Sequence, residues 1–324
     1  MGAPEAGALT AAFERERRGL FAHAYRMLGA YHEAEDVVQD TYVRALRGWE
    51  AFEQRSSVRT WLYRIATNVC LTVIEGRERR ALSSGLGPDD LGPRLEPFPT
   101  DPADLVTTRE SVRLAFVAGL QHLAPRQRAV LLLREVLAFS AAETGEALDM
   151  SVPAVKSALQ RARARLAEVA PARDDVLDAS SPRARELLAG YMAAWEASDA
   201  AAFREVLRAD AAIEPIGSHT SYAGREACLA FATPSMGAAG EWRMVPTEAN
   251  GQPAVVAWFR GEPFGLAVLT VAEDGILVIT LFGDPKLAET FAPGPGPGPG
   301  PGPGPGPGPG PGATRAQGTR TSWS

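Results

Sequence analysis

The sequence predicts a multidomain chain: two all-α modules, the second carrying a helix-turn-helix pair, then an α+β cone, then a disordered Gly-Pro tail. Three observations carry this expectation. Through 11–80 and 109–170 apolar residues recur at helical spacing with no strand-like alternation. After Pro171 two helical stretches give way to short β-rich runs, and helices followed by strands make an α+β layer structure. From Pro293 to Gly312 Gly and Pro alternate strictly. The expected units are therefore a first helical module over 11–80, a linker over 81–108, a second helical module over 109–170, the α+β domain over 181–292 and the tail over 293–324.

A chain of 324 residues with 45% hydrophobic residues has room for two or three domains, each with a real core. Its net charge of −6 means that any nucleic-acid contact must come from local basic surfaces. Cys70 and Cys228 are single and far apart, and His23, His32, His122 and His219 are scattered, so no disulfide framework, metal site or cofactor is expected. The N-terminal stretch lacks the apolar run of a signal peptide and no segment is long enough to span a bilayer. A reducing, cytoplasmic compartment and no membrane partner follow as expectations.

Within the first module, HEAEDVVQDTYVRAL (His32–Leu46) puts Ala34, Val38, Tyr42 and Ala45 on a buried stripe and Glu35, Asp36, Gln39 and Asp40 on an exposed one. Such a one-signed face is either solvated or met by something basic. In RSSVRTWLYRIATNVCLTVIEGRERR (Arg55–Arg80), Trp61, Ile65, Val69 and Val73 share a helical face while Arg59, Arg64, Asn68, Arg77, Arg79 and Arg80 supply donors. Aromatic rings among arginines suit opened DNA, because rings stack on bases while guanidinium groups hold the backbone. Trp61 and Tyr63 fit a core equally well.

Leu82–Thr108 is rich in Pro, Gly and Asp, has no regular period and reads as a mobile linker. The next stretch, Arg109–Leu137, offers Leu114, Val117, Leu120, Leu131 and Leu132 to a core.

Residues 140–166 read as two short helices around a tight corner. Ser140 with Glu143 makes a capping box, Asp149 can take the left-handed corner, and Ser151 caps a second helix with Pro153 in its first turn. Val152, Val155, Leu159, Ala162 and Leu166 form one apolar stripe of that helix. Lys156, Ser157, Gln160, Arg161, Arg163 and Arg165 lie on the other side, with no acid between Val152 and Leu166. A solvated basic face is the plain alternative. In a helix-turn-helix the second helix meets base edges in the major groove.

In this order the segments resemble the extracytoplasmic-function (ECF) type sigma factors of bacterial RNA polymerase, over about Phe13–Leu166. EAEDVVQDTYVRAL is similar to that family's core-polymerase-binding helix. RTWLYRIATNVCLTVIEGRERR is similar to its minus-ten segment, and LAPRQRAVLLLREVLAFSAAETGEALDMSVPAVKSALQRARARL to its minus-thirty-five reader. Family members often carry an acid where Thr72 stands and Gly where Asp149 stands.

The resemblance implies that Glu35, Asp36, Gln39 and Asp40 bind core polymerase. Arg59, Trp61, Asn68, Arg77, Arg79 and Arg80 would then hold the melted minus-ten strand, and Lys156, Ser157, Gln160 and Arg161 would read minus-thirty-five base edges. Arg163 and Arg165 would hold phosphates. The implied partners are core RNA polymerase, through the clamp helices of its beta-prime subunit and through its beta subunit, and promoter DNA.

Pro182–Leu207 predicts two helices with Leu188, Tyr191, Met192 and Trp195 inward. AAIEPIG, EWRMVPTEA, PAVVAWFRG, FGLAVLTVAED and GILVITLFGD predict strands, with helices near Gly224–Thr233 and Pro285–Phe291. Turns are expected at Arg260-Gly261-Glu262 and Glu273-Asp274-Gly275. YMAAWEASDAAAFREVLRADAAIE, YAGREACLAF and DGILVITLFGDPKLAETF resemble the SnoaL-like branch of the nuclear-transport-factor-two-like fold. That resemblance implies a cone with a pocket for a small-molecule ligand that the residues do not specify.

His219, Glu214 and Asp284 are the candidate acid–base groups, without partners at telling spacing; His219 in GSHTSY fits an exposed loop. Trp242, Trp258, Phe259 and Phe282 fit the core or an interdomain contact. The tail forms neither collagen nor a sheet and is expected to be an extended tether. The reading is a promoter-recognising sigma subunit, not an enzyme, modulated by its own SnoaL-like domain. Its rivals are a ligand-responsive helix-turn-helix repressor and a cyclase or isomerase fused to DNA-binding helices.

Overall fold

A computed structural model describes residues 6–53, 56–83, 95–98, 113–169, 176–218 and 220–292. The Gly-Pro tail, His219 and most of the expected linker lie outside them.

The first module is an all-helical bundle of α1 (Ala6–Leu28), α2 (Tyr31–Gly48) and α3 (Val58–Ser83). Gly29, at φ 73°, ends α1 in the left-handed conformation that glycine takes at no steric cost, and the chain turns at once into α2. Trp49, Phe52 and Trp61 fill the α2–α3 corner with ring centroids 4.8–5.8 Å apart. Behind them, His23 Nε2 lies 2.9 Å from the Thr67 hydroxyl, which itself donates to the Tyr63 carbonyl. The ring therefore donates through Nε2. Burial, with Arg26 nearby, pushes its pKa down to about 3, so it stays neutral inside the bundle.

The second module runs through α4 (Leu114–Gln121), α5 (Pro125–Leu131), a wider turn over Leu132–Val136, α6 (Ala141–Leu148) and α7 (Val152–Val169). Leu114, Val117, Leu120, Leu131 and Leu132 are all buried, as their spacing predicted. This module packs on the first through a buried cation. Arg128 of α5 donates to the Met27 carbonyl at the end of α1, and to Gln121 Oε1 at 2.6 Å. It also reaches the Gln121 and Leu123 carbonyls at 3.2 Å.

The third domain begins with α8 (Pro182–Glu196) and α9 (Ala200–Val206), followed by β1 (Leu207–Pro215), β2 (Tyr222–Ala223) and α10 (Arg225–Ala232). Then come β3 (Trp242–Ala249), β4 (Gln252–Phe259), β5 (Glu262–Ala272), β6 (Gly275–Phe282) and α11 (Leu287–Phe291). The six strands lie in the order β2-β1-β6-β5-β4-β3. All pairs are antiparallel except β1 with β6, which run parallel. The cause is the crossover: β1 precedes α10 and the β3–β6 meander, and the last strand returns beside it in the same direction.

Period-two alternation divides the sheet residues between two cores. Trp242, Met244, Val255, Ala267 and Leu269 pack with Tyr191, Trp195 and Phe203 of α8 and α9 inside the cone. Val256, Trp258, Leu266, Val268 and Phe282 belong to the apolar cluster that is continuous with the helical modules. The outer strand β3 is guarded against pairing. Glu196 accepts from the Met244 N–H at 3.0 Å, and Pro246, two residues on, has no N–H.

Where the linker was expected to be mobile, Leu95–Phe98 is fixed, with Leu95 and Phe98 buried. Glu96 N–H donates to the Gly29 carbonyl at 2.8 Å, and the Tyr25 hydroxyl donates to the Glu96 carbonyl at 2.8 Å. Opposite stands the β3–β4 turn, Asn250-Gly251, both residues with positive φ as an Asn-Gly hairpin requires. Asn250 N–H donates to the Phe98 carbonyl at 3.1 Å, Phe98 N–H to Asn250 Oδ1 at 3.2 Å, and Asn250 Nδ2 to the Tyr25 oxygen at 2.8 Å. Two residues on, Gln252 Oε1 accepts from Leu114 N–H, the start of α4, at 2.8 Å. One hairpin thus clasps α1, the linker and α4.

Candidate nucleic-acid interface

The helix-turn-helix forms as its residues dictate. Ser140 N–H donates to Glu143 Oε2 at 2.8 Å and Glu143 N–H to Ser140 Oγ at 3.1 Å, a closed capping box. Those hydrogen bonds from Ser140 hold the Glu143 carboxyl below the usual carboxylate range. Asp149 takes the left-handed corner at φ 53°, ψ 54°. Gly145 lets the corner close: a Cβ there would sit 2.5 Å from the Met150 carbonyl oxygen, whose own N–H donates back to Gly145. Ser151 Oγ then accepts from Ala154 N–H at 3.3 Å and starts α7.

Ser140→Ala is therefore expected to lower stability by about 1 kcal/mol, read as a lower melting temperature. A depressed carboxylate stabilises above its unfolded pKa and loses that contribution as pH falls through the folded one. Alanine keeps the Ser140 N–H, the larger cause of that depression, so parent and variant should weaken together as pH falls through this range and most of the gap between them should persist.

On α7, Val155, Ala158, Leu159 and Ala162 are buried, whereas Lys156, Ser157, Gln160, Arg161, Arg163 and Arg165 are all exposed. Arg161 folds back on Ser157 Oγ at 2.6 Å, Arg163 pairs with Glu135 at 2.7 Å and Arg165 with Glu168 at 3.1 Å. Val152, expected on the buried stripe, is instead 39% exposed. It is the first helical residue, and α6 has already ended at Leu148, so no neighbour covers it.

The six α3 residues divide. Asn68, Arg79 and Arg80 are exposed. Trp61 is 7% exposed and packed at a tilt in the corner cluster, so its ring serves the core, one of the two roles its sequence allowed. Arg77 is drawn into the bundle, donating to Glu33 Oε1 at 3.1 Å and to the Leu28 carbonyl at 3.2 Å. Arg59 is ion-paired with Glu16 at 3.5 Å, and its guanidinium lies 5.1 Å from the Tyr63 ring and 5.6 Å from the Phe139 ring. It also reaches the Leu137 carbonyl at 3.5 Å, while Arg64 pairs with Glu146 of α6 at 3.5 Å. The Arg-rich helix is thus held against the first helix of the helix-turn-helix.

On α2, Glu35, Asp36, Gln39 and Asp40 are all exposed, and Ala34, Val37, Val38, Thr41 and Ala45 are buried. The exposed face continues into Val43 and Leu46, each 42% exposed. Sequence reasoning passed over these two; the spacing of Val43 three and four residues past Asp40 and Gln39, and of Leu46 three past Val43, was the available signal. The acidic face of α2 thus ends in two bare aliphatic side chains.

In the third domain Glu214 is next to Ile213, which lines the cone, so Glu214 faces the other side of the sheet. Burial pushes its carboxyl up. Asp284 Oδ1 accepts from Lys286 N–H at 3.0 Å and belongs to the turn before α11. Glu214 and Asp284 are therefore not gathered into one acid–base site inside the cone. Trp242, Trp258 and Phe282 are buried and Phe259 is partly so. Both cysteines are free and buried, and no metal-holding cluster of His, Cys, Asp or Glu occurs among the described residues.

A helix-turn-helix with an exposed basic second helix, beside an Arg-rich helix and an exposed acidic helix face, is the surface pattern of a DNA-binding protein. Residues 12–80 match Sigma-70 region 2 and residues 113–166 match Sigma-70, region 4. The ECF RNA polymerase sigma factor SigG of Mycobacterium tuberculosis is 45% identical over 309 residues, covering 88% of this chain and 84% of that protein. The RNA polymerase sigma-E factor of Streptomyces coelicolor is 32% identical over 155 residues, 48% of this chain and 81% of that protein. Among solved structures, the extracytoplasmic function sigma factor SigJ of Mycobacterium tuberculosis superposes with a TM-score of 0.60 at 21% identity, over 87% of this chain and 98% of that one.

The chain belongs to the ECF RNA polymerase sigma factors, and carries a six-stranded α+β domain on the C-terminal side of its two sigma regions. It is a promoter-recognising subunit that works with core RNA polymerase and promoter DNA, in a family that is not enzymatic. No described helix is long and apolar enough to cross a membrane.

Proposed function

We propose that this sigma factor initiates transcription through three separate surfaces, and that its SnoaL-like domain holds them in a closed arrangement until released. The first surface is Glu35, Asp36, Gln39 and Asp40 with Val43 and Leu46, docking on the basic clamp helices of the polymerase. The second is Asn68, Arg79 and Arg80, joined by Arg59 once it is freed, on the melted minus-ten strand; Trp61 and Arg77 set the helix that carries them. The third is Lys156, Ser157, Gln160 and Arg161 on minus-thirty-five base edges, with Arg163 and Arg165 on phosphates.

The observation that carries the closed state is the seating of Arg64 on Glu146 of α6 and of Arg59 on the Leu137 carbonyl just before it. Elements centred at minus ten and minus thirty-five lie 25 base pairs apart, about 85 Å at 3.4 Å per base pair. Helices in direct contact cannot occupy both, so the modules must part before promoter binding. The Asn250 hairpin, which grips α1, the linker and α4 at once, opposes that parting.

The SnoaL-like domain acts in this reading as a regulator without catalysis. Tyr191, Trp195, Phe203, Met236 and Trp242 fill the inside of the cone, and Glu214 faces away from it.

Run-off transcription with purified core polymerase tests the whole reading. Promoter-specific transcripts are expected; DNA binding without transcripts would indicate a repressor, and turnover of an added cyclic substrate an enzyme. Reversing Asp36 and Asp40 to Lys is expected to remove about 2–5 kcal/mol of interface energy and abolish polymerase pull-down. Both side chains are exposed, so circular dichroism should be unchanged; intact pull-down would remove α2 from the interface.

A further inference from the structure

The reader helix starts on an apolar tip. Val152 is 39% exposed and its neighbour Pro153 is exposed as well, while one turn on, at Lys156, the outward surface becomes polar and basic. The core does not need Val152: Val155, Ala158, Leu159 and Ala162 already make the buried stripe of α7. Nor does the tip carry a charge of its own. The first turn has no acidic residue, and the Ser151 hydroxyl is engaged by Ala154 N–H. A branched apolar side chain is therefore held out at the start of the helix, on a cap and a proline that fix its position.

In a helix-turn-helix the first residues of the second helix meet base edges in the major groove. Every group presented there is a hydrogen-bond donor or acceptor save one, the C5-methyl of thymine. We propose that Val152 is a base-reading residue of this sigma factor: its isopropyl group packs on a thymine methyl of the upstream element, beside the base pair reached by Lys156. The inference rests on α7 being the minus-thirty-five reader and adds to it an apolar determinant. It also predicts which base is refused. Cytosine has a bare C5–H where thymine carries the methyl, so the apolar contact is missing there.

Deoxyuridine isolates the contact, because it differs from thymidine by the methyl alone. The upstream element is first located by footprinting the full chain with core polymerase. Each thymine in it is then replaced in turn by deoxyuridine, and holoenzyme binding is measured for the parent and for Val152→Ala. Loss of one buried methyl corresponds to about 0.8 kcal/mol, or roughly four-fold in affinity. At one thymine the parent should weaken about four-fold on deoxyuridine while Val152→Ala shows no further loss there. Val152→Ala should in turn weaken binding to the thymine duplex and leave the deoxyuridine duplex unchanged.

Alanine favours a helix more than valine does, so the variant should fold, and an unchanged melting curve checks this. Equal deoxyuridine sensitivity in parent and variant at every thymine would overturn the role of Val152 while leaving α7 as the reader. Absence of any upstream footprint would overturn the reader assignment itself, and Val152 with it.

Discussion

Arg128→Met should destabilise the paired helical modules by about 3–5 kcal/mol, because it removes a buried cation from the oxygens that surround it. Those oxygens are not accidental neighbours. Met27 lies in the last turn of α1, and Gln121 and Leu123 lie at the end of α4, so two helix C-termini point their unpaired carbonyls at one guanidinium. Helix C-termini carry partial negative charge and orphan carbonyls, and a planar five-donor cation satisfies several at once.

Burial, with Arg77 nearby, holds the Arg128 pKa down to about 10, well above neutrality, so the group remains a cation where it works. Methionine fills the volume and supplies no donor. The melting temperature should fall by roughly 10 °C. Arg128→Lys should recover only part of this, since an ammonium cannot reproduce the fork. A methionine variant that melts within a degree of the parent would show that the junction is held by its apolar contacts alone.

The ion is an instance of what the sequence could not disclose. LAPRQRAV announces a helix, with Pro125 at its start, and the periodic Leu114, Val117, Leu120, Leu131 and Leu132 announce its core. Nothing local marks Arg128 as the buried arginine and Arg126 as the exposed one, because the partners of Arg128 on α1 are a hundred residues away. Local signals, by contrast, were fully legible. The capping box at Ser140, the left-handed Asp149 and the Ser151 cap follow from side chains within four residues of each other. Within the third domain the strands were legible from their β-rich runs, but the parallel β1–β6 seam was not, since alternation gives faces and not neighbours.

The interdomain clasp was half legible. Asn250-Gly251 between two apolar runs was an available hairpin signal that the expected turns did not include, and its position alone gives no hint that it seats on Phe98. Trp61 and Arg77 show the same limit from the other side. Arg-aromatic interleaving identified the segment, and packing then assigned the ring to the core and one guanidinium to Glu33.

Asn250→Ala should open the closed arrangement and raise transcription when core polymerase is scarce. The side chain makes two buried hydrogen bonds, from Phe98 N–H and to the Tyr25 oxygen, and its loss leaves both partners without this contact in a place water does not reach. Each such loss costs about 1–3 kcal/mol, and alanine pays more than asparagine for a positive φ. A shift of about 2 kcal/mol moves a closed-to-open equilibrium roughly thirty-fold, enough to turn a minor open form into the major one. Opening should appear as lost hydrogen-exchange protection at the Glu96 and Phe98 amides, which the clasp now covers. Run-off transcription should rise at limiting core polymerase and stay unchanged at saturation, where polymerase binding already draws the modules apart. Asn250→Gly separates the two contributions, because it keeps the turn and deletes the side chain; it should open the chain nearly as far. Exchange that quickens with no gain in transcription at any polymerase concentration would mean that the hairpin holds the domains together without restraining initiation.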